Sequence, residues 1–75
     1  MYFMASKSNE ISTISKNIKK ARNKKDISQD RLSKMADVAY NTIIKIESGM
    51  IQNPTIDTLS KIAKALDVKV DDLIK

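Results

Sequence analysis

The chain has 75 residues, of which 41% are hydrophobic and only 4% aromatic, a size that accommodates one small domain. One Gly and one Pro are too few for the many tight turns of an all-β fold, so a helical domain built from Ile, Leu, Val and Ala is favoured. The absence of Cys and His excludes disulfides, Cys/His zinc sites and catalysis by a thiolate or an imidazole. No apolar run approaches the roughly 18 residues of a membrane span and no signal-peptide pattern is present, so we expect an intracellular, soluble protein.

Basic residues are concentrated towards the N-terminal end. The net charge is +5, yet residues 1–25 carry seven basic residues and one acidic residue, whereas residues 26–75 carry seven and eight. A basic first third on a near-neutral body predicts a face that meets a polyanion. The alternative is a solvated, lysine-rich helix that only aids solubility, and charge alone does not separate the two.

The first helical pattern follows an irregular segment. Residues 1–9 lack periodicity and are predicted to form a flexible N-terminal arm, which leaves residues 10–75 as the folded domain. Asn9 is a suitable N-cap, and the first helix is predicted to end at Asp26. Its inner stripe is formed by residues that recur at helical spacing, namely Ile11, Ile14, Ile18 and Ala21.

Two short helices follow with a turn of only about three residues between them, the pattern of a helix-turn-helix. Ser28 is predicted to cap the first of the two, whose inner face would carry Leu32, Met35 and Ala36. The second covers roughly residues 40–48 and ends at Gly49, where a left-handed residue is expected after the last helical turn.

The last part of the chain predicts two more helices. Thr55 follows Pro54 as an N-cap, and the inner stripe of the fourth helix is predicted to contain Ile56, Leu59, Ile62, Ala63 and Leu66. A short last helix after Val68 holds Val70, Leu73 and Ile74 behind an acidic first turn. The fold class predicted from these elements is all-α, a compact five-helix bundle.

The third helix separates two kinds of side chain. At about 100° per residue, Ile43 and Ile46 point to one side. The other side presents an amide, an amine and a branched apolar group, with an aromatic residue at the N-terminal end: Asn41, Lys45, Ile44 and Tyr40. This mixture suits the major groove of DNA, because Asn pairs with adenine, Lys reaches guanine or phosphate, and an apolar group packs on the thymine methyl. An ordinary solvated helix face is the alternative.

Several motifs in combination resemble the Xre/Cro/phage-repressor type of helix-turn-helix, over most of the chain. They are Ser28-Gln29 at the start of the second helix with Leu32 after it, Val38 in the turn, Ile46-Glu47 with Gly49, Pro54, and "LSKIAKAL" in the fourth helix. The resemblance implies a lambda-repressor-like helix-turn-helix DNA-binding domain over residues 10–75, whose third helix, about residues 39–48, enters the major groove.

Carried over position by position, the resemblance assigns roles to individual residues. Base-reading residues would be Tyr40, Asn41, Ile44 and Lys45. Phosphate-binding residues would be Gln29, Thr42, Asn53 and Lys19. The basic residues Lys16, Lys19 and Lys20 would add non-specific attraction, and the sequence does not indicate which of them face the DNA. Arg22 and Glu47 would form a partly buried ion pair that ties the first helix to the end of the third.

The chain departs from the family pattern at several turns and caps. Asp26 and Asp37 stand where Gly is usual, and Asp tolerates the left-handed conformation better than most residues. Ala39 replaces the usual Ser or Thr cap of the recognition helix, at a cost of roughly 1 kcal/mol. Lys69 replaces a usual Ser cap, and Ser33 replaces a small Ala.

The predicted function is a sequence-specific regulator of transcription, a repressor that binds a pseudo-palindromic operator in double-stranded DNA as a homodimer. We expect it in the cytoplasm of a bacterium or phage host, associated with the nucleoid. A protein-interaction module, such as an antitoxin or an anti-repressor adaptor with the same fold, is the alternative. An enzyme is the least favoured class, since no catalytic constellation is present, and no cofactor, metal or small-molecule ligand is predicted.

Overall fold

The computed structural model describes residues 13–75, which form five helices and no strand. The helices are α1 (Thr13–Lys24), α2 (Gln29–Ala36), α3 (Tyr40–Glu47), α4 (Ile56–Leu66) and α5 (Val70–Ile74). The predicted all-α bundle is therefore confirmed. The proposed arm over residues 1–9, the Asn9 cap and Ile11 lie outside the described residues. No helix within residues 13–75 is long and apolar enough to cross a membrane.

The core is aliphatic, as the composition predicts. α1 packs against α3 and α5, α2 packs against α3 and α4, and α4 also meets α5. Each helix contributes at least one buried hydrophobic residue, and together these are Ile18, Leu32, Ala36, Ile43, Ile46, Leu59, Ile62, Ala63, Leu66 and Leu73. Short helices of this kind are marginal alone in water, so burial of these residues supplies most of their stability.

Two predicted side-chain caps begin helices. The Ser28 hydroxyl accepts a hydrogen bond from the backbone N–H of Arg31 at 3.0 Å, and the Thr55 hydroxyl accepts one from Thr58 at 3.1 Å. Ala39 precedes α3 without any side-chain cap. Each capping oxygen satisfies one N–H that has no partner within its helix, so α3 begins with less support than α2 and α4.

Three helices end at an Asp followed by a β-branched residue. Asp26, Asp37 and Asp67 have positive φ angles of 58°, 57° and 59°. The next residue donates its N–H back across the last turn in each case, as Val38 does to Ser33 at 3.0 Å and Val68 to Ala63 at 2.9 Å. This is the hydrogen-bond pattern of a Schellman motif. Positive φ at Asp26 and Asp37 confirms the sequence prediction, and Asp67 is a third case that the sequence analysis missed.

The prediction that Met35 and Ile56 belong to inner stripes is wrong. Met35 is 47% exposed and Ile56 is 69% exposed. Each shares a helix with residues that do reach the core, but no neighbouring element of the described structure covers it. Ile56 is the first residue of α4, where the loop before the helix leaves its side chain outside. Helical periodicity predicts a direction around the axis and not what lies there.

Candidate nucleic-acid interface

α2 and α3 form the helix-turn-helix unit, joined by residues 37–39. Val38 holds the turn between α2 and α3 in place, because its side chain packs against the core and its N–H donates a hydrogen bond to the carbonyl oxygen of Ser33. Ser33 is buried in turn, and its hydroxyl donates to the carbonyl oxygen of Asp30 at 2.6 Å. The hydroxyl thus has a backbone partner inside α2, which explains how Ser is accommodated where the resemblance implies Ala.

α3 turns two different faces to its surroundings. Ile43 and Ile46 are each 1% exposed and belong to the core. Asn41 and Lys45 are exposed, and Tyr40 at the start of the helix is 45% exposed. The amide, the ammonium group and the phenol are therefore presented to solvent, in the orientation that the helical spacing predicts.

The remaining candidate contact residues differ in their exposure. Ile44 and Thr42, both on α3, are half-buried, so only part of each side chain is accessible to a partner. Asn53, in the loop between α3 and α4, is exposed, as is Lys19 on α1. The accessible polar groups of α3 are consequently fewer than the sequence alone suggests, and Tyr40, Asn41 and Lys45 are the exposed ones among the candidates.

A network of hydrogen bonds surrounds the carboxylate of Glu47, which is 2% exposed at the C-terminal end of α3. Arg22 on α1 donates to both of its oxygens, from Nε to Oε2 at 2.8 Å and from Nη2 to Oε1 at 3.0 Å. Gln29, the first residue of α2, donates from Nε2 to Oε1 at 3.0 Å. One carboxylate thus joins three helices, and a buried charge is compensated by a cation and a third hydrogen bond.

Gln29 has hydrogen-bonding capacity beyond its bond to Glu47. Its side-chain amide carries two N–H donors and one carbonyl acceptor, and the bond to Glu47 uses one donor. The side chain is half-buried at the start of α2, next to backbone N–H groups that favour anions. The Glu47 bond therefore fixes the orientation of the amide and still leaves a second N–H for an external oxygen.

Two further contacts at this junction were missed by sequence reasoning. The Ser15 hydroxyl on α1 donates to the backbone carbonyl of Glu47, and Arg22 Nη1 donates to the carbonyl of Ile27 at 2.9 Å. Ser15 lies three residues before Ile18, on the inward side of the helical stripe, and a buried Ser is a signal that its hydroxyl has a partner. The partner itself depends on how α1 crosses α3.

The basic residues of α1 lie on different sides of the helix. Ser15 and Arg22 mark the side that meets α3, through Glu47. Asn17 marks the side that meets α5, because its amide donates to the carbonyls of Leu73 at 2.9 Å and Lys75 at 3.2 Å. Lys19 follows Ser15 by one turn and so borders the α3 side. Among the lysines of α1, Lys19 lies closest in angle to the side marked by Ser15 and Arg22.

A comparison with known protein families gives a match over most of the chain. The model of a family described as helix-turn-helix matches residues 18–73, about three quarters of the chain. The matched segment contains Arg22, Gln29 and Glu47 together with the whole of α3. No curated protein and no solved structure shows a significant match to this chain.

Proposed function

Because the chain belongs to the Xre/Cro/phage-repressor type of helix-turn-helix family, whose members are DNA-binding regulators, we propose that it represses transcription by sequence-specific binding to double-stranded DNA. The observation that carries the proposal is the division of α3, in which Ile43 and Ile46 are buried while Asn41 and Lys45 are exposed. A helix anchored in this way can enter the major groove without disturbing the core.

In the proposed complex, α3 reads bases from its exposed side. The Asn41 amide would pair with an adenine edge through one donor and one acceptor, and Lys45 would reach guanine acceptors or a phosphate. Tyr40 and the accessible part of Ile44 would make apolar contact with thymine methyl groups. Asn41 supplies the greatest base discrimination, since a bidentate pair distinguishes one base from the other three.

Contacts to the DNA backbone would set the register of α3. Gln29 would bind one phosphate with its second amide N–H, together with backbone N–H groups of α2. Thr42, Asn53 and Lys19 would contact the phosphates on either side. The Arg22–Glu47–Gln29 network supports this arrangement, because it ties the phosphate-binding end of α2 to the recognition helix at hydrogen-bonding distance.

We propose a homodimer as the DNA-bound form, with α5 at the subunit interface. Leu73 is buried in its own subunit, and Val70 is half-buried, but Ile74 is 48% exposed. A two-fold dimer would bind a pseudo-palindromic operator with half-sites about 34 Å apart, one turn of the double helix. Such a repressor would act in the cytoplasm of a bacterium or phage host, on the nucleoid.

Selection from random duplex DNA, followed by sequencing, tests the proposal directly. The wild-type protein is expected to enrich an inverted repeat, and its binding is expected to weaken steeply with salt as counterions are released. Asn41→Ala should relax the preference at one base pair in each half-site. Binding that favours no duplex over any other would overturn the proposal.

One observation favours a second function. Tyr40 is 45% exposed at the start of α3 and Met35 is 47% exposed on α2, and exposed apolar groups of this size suit a protein partner. An interaction module with this fold, such as an antitoxin or an anti-repressor adaptor, would bind its partner with little dependence on salt. The same salt titration therefore distinguishes the two functions.

A further inference from the structure

Three lysines form a continuous row on the outer side of α1. Lys16, Lys20 and Lys24 follow one another at intervals of four residues, and all three are exposed. Residues at this spacing are neighbours on a helix surface, about 6 Å apart along the axis. None of the three forms an ion pair within residues 13–75. We refer to Lys16, Lys20 and Lys24 as the α1 lysine row.

Two other helices of the chain each pair one lysine with an acidic residue. Asp30 pairs with Lys34 on α2 at 3.2 Å, and Asp57 pairs with Lys61 on α4 at 3.5 Å, each at the favourable four-residue spacing. The α1 lysine row places like charges at that spacing, an arrangement that destabilises a helix. The row therefore leaves three neighbouring positive charges available to an external anion.

The α1 lysine row is turned away from the recognition helix. With the buried residue Ile18 as the inward direction, Lys16 and Lys20 lie almost opposite to it around the helix axis. Ser15 and Arg22, which contact Glu47 of α3, are on a different side of α1. A duplex bound to α3 and to Lys19 is thus not positioned to neutralise the whole row.

One acidic group beside the row is already engaged. Asp72 lines the same surface depression as Lys20 and Lys24. Its carboxylate accepts a hydrogen bond from the Lys69 N–H at 3.1 Å and forms an ion pair with Lys75 Nζ at 3.6 Å. Asp72 lowers the positive potential near Lys20 and Lys24 but forms no ion pair with either of them, so within the described part of the chain the lysines of the row keep their unpaired ammonium groups.

We propose that the α1 lysine row is a second DNA-binding surface, which holds the phosphate backbone of a neighbouring duplex while α3 occupies the operator. The inference rests on the proposed function, because operator binding brings the domain to a site where other DNA segments are close. The row carries no amide or aromatic group for reading bases, so the second duplex would be bound without regard to sequence. Its consequence is bridging of two DNA segments.

A two-duplex capture assay tests this surface. The operator duplex is fixed to beads, and a fluorescent duplex of unrelated sequence is added with protein at about 0.1 M salt. The variant that removes charge from the row, called the stripping variant below, is Lys16→Gln/Lys20→Gln. The control is Lys64→Gln/Lys69→Gln, which removes the same charge from two exposed lysines that also lack ion pairs within the described residues. Gln and Lys have similar helix propensities, so both variants should fold.

The wild type and the control are expected to capture the second duplex, whereas the stripping variant should capture about tenfold less or lower, since each phosphate contact is strongly salt-dependent. Operator affinity of all three should be alike. Four results would overturn the proposal. Two of them concern capture, namely capture that survives in Lys16→Gln/Lys20→Gln or an equal loss of capture in both variants. The other two are a loss of operator affinity together with capture and a preference for an RNA duplex over DNA. If no preferred operator were found, the proposed function would be wrong. Bridging of two duplexes could still be measured in that case, with a duplex of unrelated sequence fixed to the beads.

Discussion

Arg22 and Glu47 face each other across the junction of α1 and α3, joined by two hydrogen bonds of 2.8 and 3.0 Å. The Glu47 side chain is 1% exposed and that of Arg22 14%, so water does little to screen the pair. A planar guanidinium that binds both carboxylate oxygens fixes direction as well as distance. The pair therefore holds the C-terminal end of α3 at a defined place on α1.

Removing one partner of the Arg22–Glu47 pair should lower the stability of the fold. Arg22→Leu leaves the Glu47 carboxylate buried with Gln29 as its remaining side-chain donor, and the free energy of unfolding should fall by about 3 kcal/mol or more. The double variant Arg22→Leu/Glu47→Leu should recover part of the loss, because it removes the uncompensated charge. Urea denaturation provides the measurement. Lys34→Leu, which breaks an exposed pair, should change stability by less than about 1 kcal/mol; an equal effect at both sites would contradict the argument.

Asn41 and Gln29 are expected to affect DNA binding in different ways. Asn41→Ala should lose about 1–3 kcal/mol at one base pair and accept other bases there. Gln29→Ala should weaken binding to all sequences alike, because its proposed partner is a phosphate. Competition binding against single-base operator variants separates the two patterns. If the two variants gave the same profile, the base-reading role of Asn41 would be wrong.

The proposed subunit interface can be tested at Ile74. Ile74→Asp should raise the concentration at which dimers dissociate, because it places a charge on the exposed apolar residue of α5. Sedimentation equilibrium measures the monomer–dimer balance, and Ile56→Asp, at a more exposed residue on α4, serves as the matched control. An unchanged balance in Ile74→Asp, or a shift only in the control, would remove α5 from the interface.

The uncapped start of α3 offers a stabilising substitution. Ala39 has φ −56° and ψ 139° and makes no side-chain cap, so Ala39→Ser would supply an acceptor for an N–H in the first turn. We expect the free energy of unfolding to rise by about 1 kcal/mol. Thermal unfolding measures the gain, and Thr55→Ala, which deletes the corresponding acceptor before α4, should show a loss of similar size. No change in Ala39→Ser would indicate that the first turn is already satisfied by solvent.

Substitution of Asp by Gly should have opposite effects on stability at Asp67, which has a positive φ, and at Asp71, which lies within a helix. Asp67→Gly should stabilise the protein by roughly 0.5 kcal/mol, since Gly avoids the penalty of positive φ but loses more entropy on folding. Asp71→Gly, within α5, should destabilise it by about 1 kcal/mol. Chemical denaturation of the two variants under the same conditions gives the comparison. Destabilisation at both sites would mean that Asp67 has no strain to release.

Local chemistry explains which parts of the fold were predictable. Ser28, Thr55 and Gly49 act on backbone groups a few residues away, so their roles follow from sequence alone. Asp67 was within reach too, since Asp67-Val68 repeats the Asp37-Val38 pair that ends α2. The exposure of Met35 and Ile56 was not predictable, because it depends on which elements pack beside them.

In the candidate site, too, some features follow from the local sequence and others depend on how the helices pack. The outward direction of Asn41 and Lys45 follows from helical spacing, and the Arg22–Glu47 pair from the family resemblance. The third partner, Gln29, and the Ser15 contact depend on how α1, α2 and α3 meet in space. The same holds for the placement of Lys19 apart from Lys16 and Lys20, which no count of charges along the chain reveals.

α2 and α3 have only eight residues each, well below the length at which an isolated helix persists in water. Neither survives by itself, so the proposed DNA-reading surface is formed only while α1 and α4 hold it in place. Amide protons in the middle of α3 should consequently exchange with solvent only when the entire domain opens. We expect cleavage of α1 by a protease to abolish the proposed operator binding while every proposed base-contacting residue stays intact.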